Sequence, residues 1–387
     1  MVKPVPALVA TLVLPALPSP AFGQDVVVLD DQGVGISALD RDLTVHLGGK
    51  LNLDALAVDG ATGSSSDAQV RRARVNVRID YKDIATVRVE REFAGSRGWR
   101  NLYAQVRPAK GVQLQAGQFN VPFSLEDMQS TNIIPFPERS LAAGLTSEFA
   151  VGAQAGYSAK RFTMRAGWFG NAMDTPTGRA PALGRGAVGR ATVLAVDRAR
   201  TKLHFGVGLE RRSFGANDTI RYVADSGSTF GPRILRTPQL GNIDRRTGYN
   251  AEVAFFSRNL ALQGQYIEQH IRQTTGRNRR LSGGYAQVSW VPTGQPYRYS
   301  RSAGILTGPD LGRKKTALEL AARVSWLDAE NASIDGGIAR SVDVSAGLYL
   351  GRNFRLLVSG TQSRFRERIG GPVEHVYVAV TRAQIAF

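Results

Sequence analysis

Cysteine is absent from the 387 residues, which excludes a disulfide framework and thiolate metal sites. The same absence suits a chain that must cross an oxidising compartment unfolded. Histidine is scarce: His46, His204, His270 and His375 lie on different segments with no adjacent serine motif, so a nucleophile with a positioned base is hard to assemble. No Walker-type loop, dinucleotide fingerprint or metal-ligand cluster is present, and no cofactor is implied. After Gly23 no stretch approaches the roughly 18 to 20 uninterrupted apolar residues that a spanning helix requires. If the mature chain crosses a membrane, it does so as strands.

What is present begins with Lys3, an apolar run from Val5 to Leu17 and the small-residue site Ala21-Phe22-Gly23, the pattern of a secretory signal peptide over residues 1–23. Prolines 4, 6, 15, 18 and 20 argue against a retained helix. Residues 24–42 then read as a short periplasmic N-terminal segment and 43–387 as one β-barrel domain.

A net charge of +17 and a pI near 10.5 call for an anionic partner. The arginines are scattered singly at alternate positions of apolar segments rather than gathered in a tail or on one helix. Nucleic-acid binding therefore rests on charge alone and is set aside. With 42 glycines and polar loops at short intervals, helices of ordinary length are hard to place, and a large all-β chain is the natural reading.

Period-two alternation places strands near 43–57, 70–81, 85–93, 99–107, 112–119, 149–158, 162–169, 187–196, 201–212, 249–257, 260–271, 282–291, 317–327, 339–350, 354–365 and 375–387. In the last of these Tyr377, Ala379, Thr381, Ala383, Ile385 and Phe387 share one face, with Arg382 and Gln384 on the other. About sixteen strands with lipid on one side and water on the other describe a transmembrane antiparallel β-barrel of the bacterial outer membrane, in contact with its lipid.

Connections alternate in the same sense. Short turns such as Tyr81-Lys82-Asp83, Ala159-Lys160-Arg161 and Gly351-Arg352-Asn353 take the periplasmic positions. Longer segments, 58–69, 120–148, 170–186, 213–248, 328–338 and 366–374, take the outer ones. The outer link 94–98 is unusually short and the periplasmic link 292–316 unusually long. Trp168 and Trp326 fall at outer strand ends, Tyr81 and Trp290 at periplasmic ends, as interfacial girdles require.

The second strand sets Ala73, Val75, Val77, Ile79 and Tyr81 on one face and Arg72, Arg74, Asn76, Arg78 and Asp80 on the other. An arginine facing lipid at mid-depth costs roughly 2–4 kcal/mol, so the arginine face is the lumen. The same parity turns Arg88, Arg107, Arg165, Arg323 and Arg382 inward and makes the lumen wet and mixed in charge. Alternate residues lie roughly 6.5–7 Å apart, inside a Debye length of about 8 Å. Neighbouring arginines thus share a positive potential along which an anion can pass. If the turn lies near Asp83, Arg74 meets Glu92 and is neutralised, while Arg78 meets Arg88 without a carboxylate.

Five segments together resemble the phosphate-selective porin O and P family: Val70-Arg71-Arg72-Ala73-Arg74, residues 116–124 from Ala116 to Ser124, Phe136-Pro137-Glu138-Arg139-Ser140-Leu141, the stretch from Gly284-Tyr285-Ala286-Gln287 to Thr293-Gly294, and residues 318–325. The resemblance implies a sixteen-stranded trimeric porin whose loop 120–148 folds inward as the constriction, with 213–248 and 292–316 also entering the lumen. It also implies a role in anion passage for the paired Arg71 and Arg72. By strand parity Arg71 points away from the lumen near the outer rim, so Arg72 is the expected contributor. Phosphate-selective members carry a constriction-loop lysine after two small hydroxyl residues, where this chain has Ser130-Thr131-Asn132. The loop then supplies Glu126, Asp127, Asn132, Glu138 and Arg139, which favours small anionic solutes over a tight phosphate site. The alternative is a general or plugged barrel acting in surface binding or attachment.

Overall fold

The computed structural model describes residues 26–30, 33–38, 42–60, 63–95, 98–174, 182–276, 278–312, 314–331 and 334–387. The expected signal peptide lies outside them. A hairpin, β1 (Val26–Asp30) and β2 (Gly33–Ala38), comes first. It occupies much of the expected N-terminal segment, and β2 pairs along the start of the first barrel strand, Val34 opposite Leu47.

The barrel follows in chain order: β3 (Leu43–Gly60), β4 (Gly63–Tyr81), β5 (Ala85–Glu92), β6 (Gly98–Val106), β7 (Val112–Asn120), β8 (Phe149–Ser158), β9 (Phe162–Phe169), β10 (Arg185–Asp197) and β11 (Thr201–Ser213). An inserted hairpin, β12 (Val223–Asp225) and β13 (Arg233–Arg236), precedes β14 (Ile243–Ser257), β15 (Leu260–Gln273) and β16 (Asn278–Trp290). A second insert, β17 (Tyr297–Ser300) and β18 (Ile305–Pro309), precedes β19 (Thr316–Asn331), β20 (Ile334–Leu350), β21 (Phe354–Arg366) and β22 (Glu374–Ala386). The β22–β3 pairing, from Val376 opposite Gly60 to Ala386 opposite Lys50, closes a 16-strand antiparallel barrel.

All sixteen expected strands form, two of them (149–158 and 162–169) with the expected limits. Segments 58–69 and 328–338 are not long loops: β3–β4 and β19–β20 continue as paired strands to Gly60–Gly63 and Asn331–Ile334. Apolar alternation stops where lipid stops, whereas ladder hydrogen bonds continue in water, so Ser64, Ser65, Ser66 and Asp67 remain strand. Trp168, Trp326, Tyr81 and Trp290 are all exposed on the outer wall. No helix of the described residues is long and apolar enough to cross a membrane, which says nothing of a barrel.

Three segments fill much of the interior. Residues 121–148 fold inward around α1 (Leu125–Met128), capped by Ser124 Oγ accepting from the Asp127 N–H, and a 3-10 helix, Leu141–Leu145. The β12–β13 hairpin packs beside this loop. An added Cβ on Gly144 would stand 2.6 Å from the Val223 carbonyl, so a glycine is needed where the two backbones meet. Between them and the wall lies an apolar core of Phe119, Leu145, Phe169, Ile234, Leu235, Ile267, Leu281 and Leu327. Each such side chain, when fully buried, contributes about 1.5–3 kcal/mol.

That core takes the place of part of the wet, mixed-charge lumen that strand parity describes. Val376, Val378 and Val380 of β22 face inward and are buried in it, so only the periplasmic half of this strand is polar on its lumen face.

Candidate functional site

The β3–β4 register slips between Asn52 and Leu53: Asn52 faces Arg72, Leu53 faces Val70, and Arg71 is the extra residue. A β-bulge of this kind breaks the period of two. Both arginines therefore turn inward, Arg71 8% and Arg72 3% exposed, and the reading of Arg71 as pointing away at the rim is wrong. Arg71 Nε and Nη2 donate to Glu138 at 2.6 and 2.9 Å, Arg72 Nη2 donates at 3.2 Å, and Arg382 Nη2 adds a third guanidinium at 3.3 Å. Arg382 is itself held by Asp54 at 2.7 Å through two bonds. Burial alone would push the Glu138 carboxyl up, but Arg72, Arg71 and Arg382 outweigh it and hold it well below the usual range. The preference for Arg72 over Arg71 is lost: both clamp the constriction loop to the wall.

Farther down β4 the expected register holds, with Arg74 opposite Glu92 and Arg78 opposite Arg88. Arg74 donates to Glu92 at 2.6 Å. Arg78 and Arg88 are nevertheless compensated, each by the carboxylate two residues along its own strand: Arg78 to Asp80 at 2.6 Å, Arg88 to Glu90 at 2.6 Å. Cross-strand position misses such partners because alternate residues of one strand share a face. Arg107 lies near the periplasmic turn and donates to Thr86 at 3.2 Å. Arg165 donates to the Ser302 carbonyl of the β17–β18 insert at 2.9 Å. Arg323 pairs with Asp343 at 3.1 Å and Glu126 at 3.3 Å, its guanidinium 4.2 Å from the Phe136 ring centre.

The constriction loop turns its carboxylates to the wall or to itself. Glu126 accepts from Ser140 N and Oγ at 2.8 and 2.7 Å as well as from Arg323. Arg139 donates to Glu148 at 2.9 Å and to the carbonyls of Glu126, Asp127 and Gln129. The Glu148 carboxyl, which burial would raise, is held down to about 2 by Arg139 and Arg100. Asp127 goes the other way: burial pushes it up to about 6 against the pull of Arg139. The Asn132 carbonyl accepts from Arg355 at 3.5 Å and Gln384 at 3.3 Å, while its side-chain oxygen is buried with no partner.

Two cavities lined by several charged side chains lie along the β3–β7 side. The outer one, about 320 Å³, is lined by Arg71, Arg72, Arg74, Arg100, Asp127, Glu138, Arg139, Glu148 and Asp225 among others. The inner one, about 520 Å³, is lined by Lys50, Arg74, Arg88, Arg139, Arg298, Arg352 and Arg355 against Glu90, Glu148 and Asp310, with Thr131 and Asn132 from the loop. Arg74, Arg139 and Glu148 line both spaces. Arg78, Arg107, Arg165, Arg323 and Arg382 line neither, although sequence parity grouped them with the path.

Lys50, Arg100, Glu148 and Arg355 were missed. Lys50 has the inward parity of β3 with His46, Asn52 and Asp54, a signal available from alternation. Contacts of the long insert were not available that way. Arg190, paired with Glu252 at 2.5 Å, donates to the carbonyls of Ala303 and Gly304 at 3.1 and 2.7 Å. Buried His204 joins Glu252 at 3.0 Å to Tyr299 at 2.8 Å, and Gln129 of the constriction loop donates to Leu306 at 3.0 Å. The inserts 213–248 and 292–316 do enter the lumen.

Solved structures with this architecture include the anion-selective porin from Comamonas acidovorans (TM-score 0.57, 14% identity, 89% of this chain and 100% of that one). Another is the outer-membrane channel DcaP of Acinetobacter baumannii (0.56, 12%, 90% and 99%). OmpT of Vibrio cholerae is similar too (0.56, 11%, 89% and 98%). At these identities the likeness is one of fold. A protein of Caulobacter vibrioides carrying no functional description is 24% identical over 358 residues, 86% of this chain and 71% of that one. With a closed barrel, an inward constriction loop and a sequence model that matches residues 45–387, the chain belongs to the phosphate-selective porin O and P family of the bacterial outer membrane.

Proposed function

We propose that the chain is a passive outer-membrane pore preferring small anions, working as a homotrimer and without catalytic activity. One observation carries this reading: the inner cavity is lined by seven cationic side chains (Lys50, Arg74, Arg88, Arg139, Arg298, Arg352, Arg355) against three side-chain carboxylates, and cations stay in excess when Glu92 and Glu319, which pair Arg74 and Arg355 from outside the lining, are included. In a low-dielectric tube such an excess raises the local anion concentration and lowers that of cations. The Comamonas protein is an anion-selective porin, which is in keeping with it, and OmpT has been solved in a trimer form. The histidines favour a non-catalytic role: His204 is spent on anchoring Tyr299 and Glu252, and His270 on Glu268.

Phosphate selectivity is the finer step. Asn132 in place of the lysine leaves the loop without a cation of its own at that position, which supports small anions in general.

The test is reversal potential across planar bilayers in a potassium chloride gradient. Chloride is expected to be preferred, and a potential of the cation-selective sign overturns the reading. A second reading, a plugged barrel used for attachment, draws on the filled β14–β22 side. It predicts no current.

A further inference from the structure

The outside of the barrel carries a row of cations that the pore does not use. Trp326 stands opposite Arg340, Arg340 opposite Arg364 and Arg364 opposite His375, so one row of the sheet crosses β19, β20, β21 and β22. All four side chains are exposed on the outer wall. They lie at the outer ends of their strands, at the level of the aromatic girdle, where hydrocarbon gives way to headgroups. One row deeper come Val324, Val342, Gln362 and Tyr377.

Like charges directly opposite weaken a strand pair, and elsewhere on this rim the protein supplies the anion that relieves them. His270 faces Arg280 across β15 and β16, and Glu268 bonds to both, accepting from Arg280 Nη2 at 2.5 Å. Arg340 and Arg364 have no such bridge: among the described residues neither guanidinium makes a hydrogen bond or an ion pair. Neighbouring acidic groups are engaged with other partners. Glu330 pairs with Arg366 at 2.9 Å, Asp328 accepts from the Glu330 N–H at 3.0 Å, and Asp59 accepts from the Ser64 hydroxyl at 2.6 Å. Glu367 and Glu374, close by along the chain, make no ion pair with either arginine.

The wall is concave at this place. A recess of about 700 Å³ is lined by the apolar Val324, Trp326 and Val342 together with Arg340, Arg364 and His375. A second, of about 840 Å³, extends deeper over Val344, Gly360 and Ala379, and Val342 and Gln362 line both. Cations at headgroup depth above an apolar recess at acyl-chain depth fit one molecule that is anionic at one end and apolar at the other. A free inorganic anion would use only the upper part.

We infer that Arg340 and Arg364, with His375 beside them, form an outer-wall site for the headgroup of an acidic outer-leaflet lipid, with an acyl chain lying along the recess over Val342, Val344 and Ala379. The two guanidiniums take the anionic oxygens by forked, charge-assisted hydrogen bonds, which removes the repulsion between them. The inference is independent of the ion preference of the pore.

The experiment is native mass spectrometry of the detergent-purified protein with diphosphorylated lipid A as the probe, in wild type, the double variant Arg340→Gln/Arg364→Gln, and Arg280→Gln. Wild type should bind the probe roughly tenfold more tightly than the double variant, the loss of charge-assisted bonds to one headgroup. It should likewise prefer the probe to the same lipid stripped of its phosphates. Arg280→Gln, whose charge is taken up by Glu268, should bind as wild type does. Equal affinity in wild type and the double variant overturns the site, and so does an equal loss in Arg280→Gln, which would make rim charge in general the cause. If the double variant does not assemble, equal binding of the two lipids by wild type overturns the site in its place. Displacement of the probe by equimolar inorganic phosphate would assign the row to a free anion and overturn the lipid reading. A double variant with an altered oligomer mass and unaltered lipid binding would assign this face to a contact between copies and overturn it as well.

Discussion

Lys50 and Arg72 stand on adjoining strands of one wall, a single alternate position apart in register, and both face the lumen. Their roles diverge because of what each meets. Arg72 shares the Glu138 carboxylate with Arg71 and Arg382, so its charge fastens the constriction loop. Lys50 donates to the neutral Thr131 hydroxyl and shares the inner cavity with Glu90 and Glu148, so it fastens no carboxylate of the loop. Facing the pore makes a cation structural or functional only once its partner is known.

The largest effect that could break this contrast comes from Glu138→Gln. Removing one member of a buried ion-pair network costs about 3–5 kcal/mol, because Arg71, Arg72 and Arg382 are left facing one another. The denaturation midpoint of the detergent-solubilised barrel should fall and anion preference should rise. A midpoint equal to wild type would mean that the clamp does not hold the loop. The sign in pH agrees: a carboxyl held below its unfolded value stabilises the fold above about pH 4.5 and loses that contribution as pH falls.

A smaller effect belongs to Asp127, raised from 3.8 to about 6 by burial. An acid whose folded value is raised opposes folding once ionised, so its contribution to stability declines as pH rises from about 4 to about 6. Between pH 7 and 5 the outer cavity gains one positive charge as Asp127 protonates. Chloride preference should therefore increase through pH 6 in wild type, and the step should vanish in Asp127→Asn; a step persisting in that variant assigns it elsewhere.

The smallest is Asn132→Lys, which adds a second ammonium to the inner cavity. Phosphate block should strengthen by a few-fold over wild type, since the Asn132 side-chain oxygen has no partner to lose. No strengthening would show that position 132 does not address the permeating solute.

Much of the barrel was legible in the chain. Alternation located Phe149–Ser158 and Phe162–Phe169 to the residue because lipid on one face and water on the other impose a strict period of two. The pairing of Arg74 with Glu92 was legible from the turn near Asp83. Arg71 was not, since a bulge adds one residue and reverses every parity beyond it. Nor were the inward valines 376, 378 and 380, whose burial depends on a hairpin more than 130 positions earlier.

The sequence by itself determined a closed outer-membrane barrel, its strand count, and which side chains face lipid, for the reason that lipid accepts no unpaired backbone and few charges. Tertiary structure alone decided which lumen charges remain uncompensated. That depends on where loop 121–148 and the two inserted hairpins come to rest, and ion pairs between Glu138 and Arg382 or Glu126 and Arg323 join residues that no local period connects.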